Sequence, residues 1–317
     1  MNSQRAIKIK LLVIQLIAII PLLLFIFYIF DLWFDVRRSI VLENTINQGR
    51  LISQTVEESF KLGTHISTIV ATNPGFKSLI EKDPSIVEST LRTITDNIPE
   101  ISGINISNTS GKSIFMSREI SKEQKDQTSL ADRNYFQKVI ETQKPAISGI
   151  LTNKFRDTQG IVMAAPIIDK GKVTAVVGSF YEMEALKAKM DSVLPLDDKY
   201  TVLLYDQDGK LALILHKALP NDAEKTVFNN LPFLAKYDSH KVNIVENEKL
   251  PNSTKTYLGA MLPVDGYGWT VVNLISQDDV FAPIYKVQKI TWLIILSALI
   301  FALSLISYVL RKIKMVY

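Results

Sequence analysis

Two uncharged apolar runs near the ends of the chain constrain its fold more than any other feature. They cover Leu11–Phe30 and Ile290–Leu310, about 20 residues each, and neither contains a charged residue. At a rise of about 1.5 Å per residue, a helix of this length matches the roughly 30 Å hydrocarbon core of a bilayer. We therefore predict two transmembrane helices, over residues 11–32 and 289–310.

The first run fits an uncleaved membrane anchor better than a signal peptide. The apolar region of a signal peptide is about 7–15 residues long and ends at a cleavage site made of small residues. The run here is longer, and the sequence YIFDLWFD at its end offers no such site. We therefore expect this segment to stay on the chain as an anchor.

Basic residues on the outer side of both runs set the predicted orientation. These cations are Arg5, Lys8, Lys10, Arg311, Lys312 and Lys314. Lysine and arginine next to a span favour the cytoplasmic side of the membrane. We therefore place residues 1–10 and 311–317 in the cytoplasm and the long middle segment outside the inner membrane, with two spans in all.

The net positive charge of the chain comes from the basic residues that flank its two apolar runs. The whole chain carries 36 Lys and Arg against 32 Asp and Glu, and removing the six flanking cations leaves 30 against 32, a net charge of −2. This balance gives no reason to expect nucleic-acid binding. The absence of cysteine excludes disulfides, thiolate catalysis and cysteine-based zinc sites.

No cofactor, metal site or catalytic constellation is predicted. The three histidines, His65, His216 and His240, have no spacing typical of metal ligands. The sequence Asp206-x-Asp208-Gly209 resembles the start of a calcium loop but lacks the closing glutamate, so we predict a plain hairpin turn. No motif of a nucleophilic, phosphate-binding or metalloprotease site occurs, and we predict that this chain is not an enzyme.

The segment after the first run has the periodicity of a long helix. Small and apolar residues recur at steps of three and four, at Ile52, Val56, Phe60, Gly63, Ile66 and Val70. We predict a stalk helix over residues 33–75 that ends by the helix breaker Asn73-Pro74-Gly75. Its apolar stripe favours packing on its own domain, on a second copy, or on both.

Two strand-rich stretches follow and predict an α+β fold of two tandem modules, residues 76–195 and 196–288. Strands in the first module are predicted at 101–107, 112–117, 146–152, 160–168 and 172–180, and helices at 132–142 and 182–191. Strands in the second are predicted at 200–205, 210–215, 255–263 and 268–274. Residues 220–254 are loop-like, and their sequence assigns no helix or strand. We expect Asp278-Asp279 to cap the helix that enters the second span.

Three stretches carry a resemblance to a known family: DRNYFQKVIETQKPAISGIL, GIVMAAPIIDKGKVTAVVGSF and YLGAMLPVDGYGWTVVNLISQDDVFAP. In order, spacing and membrane placement they resemble the double-Cache sensor domains of bacterial transmembrane receptors, over roughly residues 35–288. The resemblance implies two tandem PAS-like modules on the stalk helix, between two transmembrane helices. It also implies that a ligand binds in the membrane-distal module.

The resemblance assigns a predicted ligand site. Arg133, Tyr135 and Phe136 match positions at which the family contacts its ligand, and a guanidinium between aromatic rings suits a carboxylate. The alternative is that Arg133 caps a helix or pairs with a nearby residue, and that the two aromatic rings belong to the hydrophobic core. Leu151 completes the predicted wall.

The same site departs from the amino-acid-binding members of the family. Their two acidic residues for the ligand ammonium correspond here to Asn153 and Phe180. A buried ammonium without a counter-charge is costly. A small carboxylate without an amine is therefore favoured as ligand, with another small anion or a neutral polar molecule as the alternative. A free amino acid or an amine is disfavoured.

The sequence favours the sensory region of a receptor of the chemoreceptor, sensor histidine kinase or diguanylate cyclase type. We expect a homodimer and a cytoplasmic output domain or partner; only RKIKMVY follows the second run, which suggests an excerpt of a longer receptor or a stand-alone sensor. One alternative is a polysaccharide co-polymerase, which has two spans but a largely helical middle and a proline-rich approach to the second span. The other is an exported enzyme tethered at both ends.

Overall fold

The computed structural model describes residues 2–193, 199–215, 221–238 and 241–316. They divide into two compact parts. Residues 45–275 form one body, called here the sheet body, and the first 44 residues with the segment from Ser276 onward form the terminal helical part. Of the three histidines, His216 and His240 lie outside the described residues.

The described chain is an α+β fold with a long first helix and two antiparallel sheets. Its helices are α1 (Asn2–Thr72), α2 (Pro74–Lys82), α3 (Pro84–Asn97), α4 (Lys122–Gln127), α5 (Asn134–Thr142), α6 (Met183–Val193), α7 (Asp222–Phe228) and α8 (Gln277–Val316), with a 3₁₀ helix at Pro232–Lys236. Its strands are β1 (Ile101–Asn108), β2 (Ser113–Met116), β3 (Ala146–Ile147), β4 (Leu151–Thr152), β5 (Gln159–Asp169), β6 (Lys172–Glu182), β7 (Tyr200–Tyr205), β8 (Leu211–Ile214), β9 (Asn243–Lys249), β10 (Thr256–Val264) and β11 (Trp269–Ser276).

Helix α1 ends at Thr72, where the sequence predicts its end, but two helices that the sequence analysis did not predict follow at once. The proline that suggests a break lies at the start of α2, and a second proline starts α3. A missing N–H costs nothing in the first turn of a helix, so proline is favoured there. The Asn73 side chain caps α2 by accepting from the Gly75 N–H at 2.8 Å.

The first sheet has the strand order β2-β1-β6-β5-β3, with β4 also paired to β5. Successive side chains on a strand point to opposite faces, so β6 serves two cores. Val176 and Phe180 join α5 in one apolar cluster. Val177 and Tyr181 join α1 and α3 in another. The face toward α5 is called here the cup face.

The second sheet repeats this connectivity in the order β8-β7-β11-β10-β9. The loop-like sequence of residues 220–254 assigns no element, whereas the described part of this stretch holds α7, the 3₁₀ helix and β9. A capping box between Asn221 and Glu224 starts α7, and this pattern is visible in the sequence. Strand β9 is an edge strand rich in charged and amide residues, which explains why its composition does not predict a strand.

Helix α1 packs against both sheets through one continuous core. Phe60 meets the rings of Tyr267 and Trp269 edge-on, with centroids 5.2 and 5.0 Å away. Two turns further along α1, the Ser67 hydroxyl donates to the Met163 carbonyl at 2.7 Å and lies 2.9 Å from the Ser179 hydroxyl. The helix is therefore fixed to both sheets by side chains inside the body.

The predicted strand over 146–152 is interrupted, which corrects the sequence analysis. Within residues 146–152, only the short strands β3 and β4 pair with β5. Between them, the Ser148 hydroxyl accepts the Val162 N–H of β5 at 2.9 Å. A side chain thus takes the place of a backbone carbonyl on the ladder, and the backbone of the next two residues leaves the sheet. This three-residue gap, 148–150, is called here the β3–β4 loop.

In the terminal helical part, one helix of the described residues is long and apolar enough to cross a membrane, over Gln277–Ser304 with a mean hydropathy of 1.8. The side chains of residues 1–19 lie outside the described set, so the first predicted span is not tested there. The ring of Phe34 packs against those of Phe281 and Tyr285, with ring centroids 5.3 Å apart in both pairs. The capping prediction was wrong: the Ser276 hydroxyl accepts the Asp279 N–H, and the two aspartates lie in the first turn of α8.

Candidate functional site

A small cavity of about 70 Å³ lies on the cup face of the first sheet. Strands β1, β5 and β6 form its floor, the start of α5 forms one wall, and residues 151–156 form another. The residues used below line it: Asn105, Arg118, Arg133, Tyr135, Phe136, Leu151, Asn153, Lys154, Arg156 and Phe180.

Helix α5 closes the cavity because one of its faces is apolar. Tyr135, Phe136 and Val139 are buried, and they pack with Val162 and Phe180 from the sheet. Burial raises the pKa of the Tyr135 hydroxyl well above its ordinary value, so that hydroxyl stays protonated at neutral pH. The two predicted aromatic residues therefore serve the local core and the cavity wall at once.

Arg133 stands directly before α5 and joins it to the opposite wall. Its Nη2 donates to the Thr152 carbonyl at 2.9 Å. Among the described residues, no carboxylate forms an ion pair with this guanidinium. Arg133 therefore keeps N–H donors that could serve an anion in the cavity.

Asn153 shapes the loop that bears it. Its side-chain oxygen accepts the Phe155 N–H at 2.8 Å, and its backbone N–H donates to the Thr158 carbonyl at 2.8 Å. Asp157 in the same loop has a φ of 54°, so the chain reverses tightly here. The amide of Asn153 is therefore partly committed to the turn.

Three further cations line the cavity, and two of them are neutralised. Lys154 contacts the Asp132 carboxylate at 2.6 Å, and this bond lowers the pKa of Asp132. Arg118 contacts Asp96 at 2.7 Å. Among the described residues, Arg156 donates to a backbone carbonyl alone, that of Ser102 at 3.4 Å.

The cavity therefore has a one-sided charge. Four of its lining residues are cations and, among the described residues, none is an aspartate or glutamate. Arg133 and Arg156 lack a carboxylate partner in the described part of the chain. Such a site stabilises negative charge and opposes positive charge.

One amide group on the floor is only half satisfied. Asn105 lies on β1, and its Nδ2 donates to the Ser113 hydroxyl at 2.8 Å. Its Oδ1 is buried and has no hydrogen-bond partner among the residues that the structure describes. A buried orphan acceptor is costly, so Asn105 favours a bound group that can donate a hydrogen bond there.

All six residues that the sequence analysis proposed line this one cavity: Arg133, Tyr135, Phe136, Leu151, Asn153 and Phe180. Their contact with a ligand stays a prediction. The sequence analysis missed Arg118, Arg156 and Asn105. The alternation of β1 could have indicated Asn105, whereas no local pattern marks the two arginines.

Among the described residues, no group of three or more His, Asp and Glu side chains is placed to hold a metal ion. The Asp206–Gly209 segment is the hairpin turn that the sequence predicts. The Gly209 N–H donates to the Asp206 carbonyl at 3.0 Å, and Gly209 has a φ of +73°.

Solved structures with this fold are sensor domains of bacterial receptors. The ligand-binding domain of the amino-acid chemoreceptor PctB of Pseudomonas aeruginosa PAO1, in complex with L-Arg, has a TM-score of 0.59 and 14% identity, covering 77% of this chain and 99% of that one. The ligand-binding domain of the Campylobacter jejuni chemoreceptor Tlp3, in complex with L-valine, has a TM-score of 0.57 and 17% identity, covering 78% and 97%. The sensor domain of the V. cholerae histidine kinase DctB has a TM-score of 0.55 and 12% identity, covering 75% and 98%.

These identities are low, so the likeness establishes the fold and leaves the ligand open. No curated protein sequence matches the chain. The family model described as a Cache domain matches residues 38–284, which is most of the chain. The chain therefore belongs to the Cache family of extracytoplasmic sensor domains.

Proposed function

We propose that this chain is the extracytoplasmic small-molecule sensor region of a transmembrane signalling receptor. Residues 76–195 form the membrane-distal, ligand-binding module and residues 196–288 the membrane-proximal one, in tandem on the stalk. Spans at 11–32 and 289–310 hold them at the inner membrane. The family, the repeated strand order and the apolar helix over Gln277–Ser304 support this arrangement. The two sheets do not fit the largely helical middle of a polysaccharide co-polymerase.

The ligand class follows from the one-sided charge of the cavity, which is the observation that carries the proposal. A carboxylate between Arg133 and Arg156 gains charge-assisted hydrogen bonds, and the guanidinium fork suits its two oxygens. An ammonium group in the same space would meet cations and no carboxylate among the described lining residues. A small carboxylate without an amine is therefore the proposed ligand.

The size of the cavity narrows this class. About 10–15 Å³ of such space holds one water molecule. A cavity of about 70 Å³ thus has room for roughly five to seven water-sized groups. Acetate, propionate, L-lactate and pyruvate are acids of this size.

Several structural neighbours hold amino acids, and the proposal departs from them. Tlp3 has been solved with L-norvaline, L-valine and isoleucine, and PctB with L-Arg. Those ligands combine a carboxylate with an ammonium. The departure rests on the charges of this cavity alone, so an amino-acid panel belongs in any test.

Signal transmission is proposed to run through the floor of the cup. Strand β6 carries Phe180 toward the cavity, while the adjacent Ser179 donates to the Gly63 carbonyl of α1 at 2.8 Å from the other face. A ligand that binds one arrangement of this contact better than another shifts the population of the two. We propose a homodimer that passes this shift through the second span to a cytoplasmic output domain or partner.

A thermal-shift screen of the full chain in lipid nanodiscs tests the proposal. Short carboxylates, amino acids and amines are added to wild type and to Arg133→Ala. Lys138→Ala, which removes an exposed cation from the same helix, is the control. A ligand at 100 times its Kd stabilises the fold by about 2.7 kcal/mol, or roughly 5–10 °C for a domain of this size.

The expected result is stabilisation by a short carboxylate that Arg133→Ala loses and Lys138→Ala keeps. Stabilisation that survives Arg133→Ala would leave a sensor but remove this site. An amino acid that stabilises more than every acid would contradict the ligand class.

A further inference from the structure

A buried carboxylate from the second sheet reaches the loop that forms the cavity wall. Asp206, at the end of β7, is only 3% exposed. Its Oδ1 accepts the N–H groups of Asp208 and Lys210, at 3.0 and 2.9 Å, which caps the hairpin turn. Its Oδ2 accepts the Ile150 N–H at 3.1 Å, across to the first sheet. One oxygen therefore serves the turn and the other serves the β3–β4 loop.

The β3–β4 loop is built to meet this oxygen. Because the Ser148 hydroxyl satisfies the Val162 N–H on β5, the backbone after it is released from the ladder. Gly149 leaves the space that the carboxylate needs, since a Cβ there would lie 2.6 Å from Asp206 Oδ2. The Ile150 N–H then points at Asp206 instead of at the sheet.

The next two residues are part of the candidate ligand site. Leu151 lines the cavity and follows Ile150 directly. Thr152 supplies the carbonyl that accepts from Arg133 at 2.9 Å. The position of the cavity wall and the acceptor for Arg133 therefore both depend on where the β3–β4 loop is held.

We propose that Asp206 is a positioning residue of the ligand cavity, which fixes the β3–β4 loop from the second sheet and thereby sets Leu151 and the Arg133–Thr152 contact. The proposal rests on the proposed function in one respect, that the ligand binds in this cavity. It makes affinity depend on a side chain outside the ligand-binding module. By the same bond, occupancy of the cavity is felt by the second sheet.

Asp206→Asn separates this role from that of a plain turn cap. Asparagine keeps one oxygen, which can continue to accept from Asp208 and Lys210. It presents an NH₂ group where the Ile150 N–H needs an acceptor, so only the bond between the sheets is lost. Asp208→Asn is the matched control, because it removes the same charge from the same turn and the Asp208 carboxylate accepts no hydrogen bond from any described residue.

The first readout needs no ligand. Amide hydrogen exchange is followed in the full chain in nanodiscs for wild type, Asp206→Asn and Asp208→Asn. Residues 150–153 should exchange about tenfold faster or more in Asp206→Asn, while the 206–210 turn is unchanged and Asp208→Asn matches wild type. Unchanged exchange at 150–153 would overturn the proposal.

The second readout is the Kd for propionate and for L-lactate in the same samples. Asp206→Asn should weaken binding about fivefold or more with the melting temperature within a few degrees of wild type, and Gly149→Ala should do the same. An unchanged Kd beside faster exchange would overturn the positioning role. If wild type binds neither acid, the proposed ligand class fails, and the exchange result decides the positioning of the wall separately.

Discussion

The contact between α1 and the first sheet predicts a large effect from one hydroxyl group. Ser67 and Ser179 are both fully buried. The Ser67 hydroxyl donates to the Met163 carbonyl at 2.7 Å and accepts the Ser179 N–H at 3.1 Å. Ser67→Ala removes both bonds with almost no change of volume.

The magnitude follows from these two bonds. Losing the bond to Met163 costs about 1 kcal/mol, and leaving the Ser179 N–H buried without an acceptor costs about 1–3 kcal/mol more. The better helix propensity of alanine returns about 0.5 kcal/mol. We expect a net loss of about 1.5–3.5 kcal/mol in the free energy of unfolding. In a body of about this size, that loss lowers the melting temperature by roughly 3–14 °C.

Thermal and denaturant unfolding of the full chain measure this effect. Thr72→Ala is the control, because the exposed Thr72 hydroxyl donates within the same helix, to the Thr68 carbonyl, and to no other described residue. That variant should stay within about 0.5 kcal/mol of wild type. A Ser67→Ala protein as stable as the control would refute the argument that this contact fixes α1 to the sheet.

Three further predictions concern single residues. Gly259→Ala should lower the free energy of unfolding by about 3 kcal/mol or more, because its Cβ would lie 2.0 Å from the Asn273 carbonyl oxygen. Gly171→Ala is the control: it has a φ of +78° but open space around the Cβ, and should lower the free energy of unfolding by only about 1–2 kcal/mol. Burial raises the pKa of the Asp206 carboxyl above 3.8, so the folded state holds that proton more tightly than the unfolded chain. The free energy of unfolding of wild type should therefore fall relative to that of Asp206→Asn as the pH rises through the window just above 3.8. A difference between the two proteins that does not change with pH in that window would contradict this prediction. Arg133→Lys should raise the Kd for a carboxylate about tenfold, as measured by titration, because lysine lacks the planar guanidinium that can donate two parallel hydrogen bonds. Equal affinity would contradict a bidentate contact between Arg133 and the ligand.

Much of the fold could be predicted because its periodicities are strong. The apolar stripe of α1 and the alternation along β1 and β7 depend on burial of one face, and the structure has these elements where the sequence predicts them. One error arose because proline has two roles near the end of a helix. Pro74 indicates a break and also begins α2.

The candidate site could be predicted only in part, because its contacts are distant in sequence. The resemblance brought the six residues together, and the structure places them around one cavity. No local sequence pattern indicates the Arg118–Asp96 ion pair or the hydrogen bond from Arg156 to the Ser102 carbonyl. The same holds for the hydrogen bond that Asp206 accepts from Ile150, 56 positions earlier. Those contacts depend on how strands cross, which composition and spacing do not determine.

The most direct test of the central claim is a calorimetric titration of L-lactate and L-alanine into the full chain in nanodiscs. The two molecules have the same number of non-hydrogen atoms and differ only in a hydroxyl against an ammonium group. A cavity with unpaired guanidiniums and no acidic lining residue among those described predicts that lactate binds at least about tenfold tighter. If alanine binds as tightly as lactate, or more tightly, the account is contradicted and an amino acid becomes the favoured ligand class.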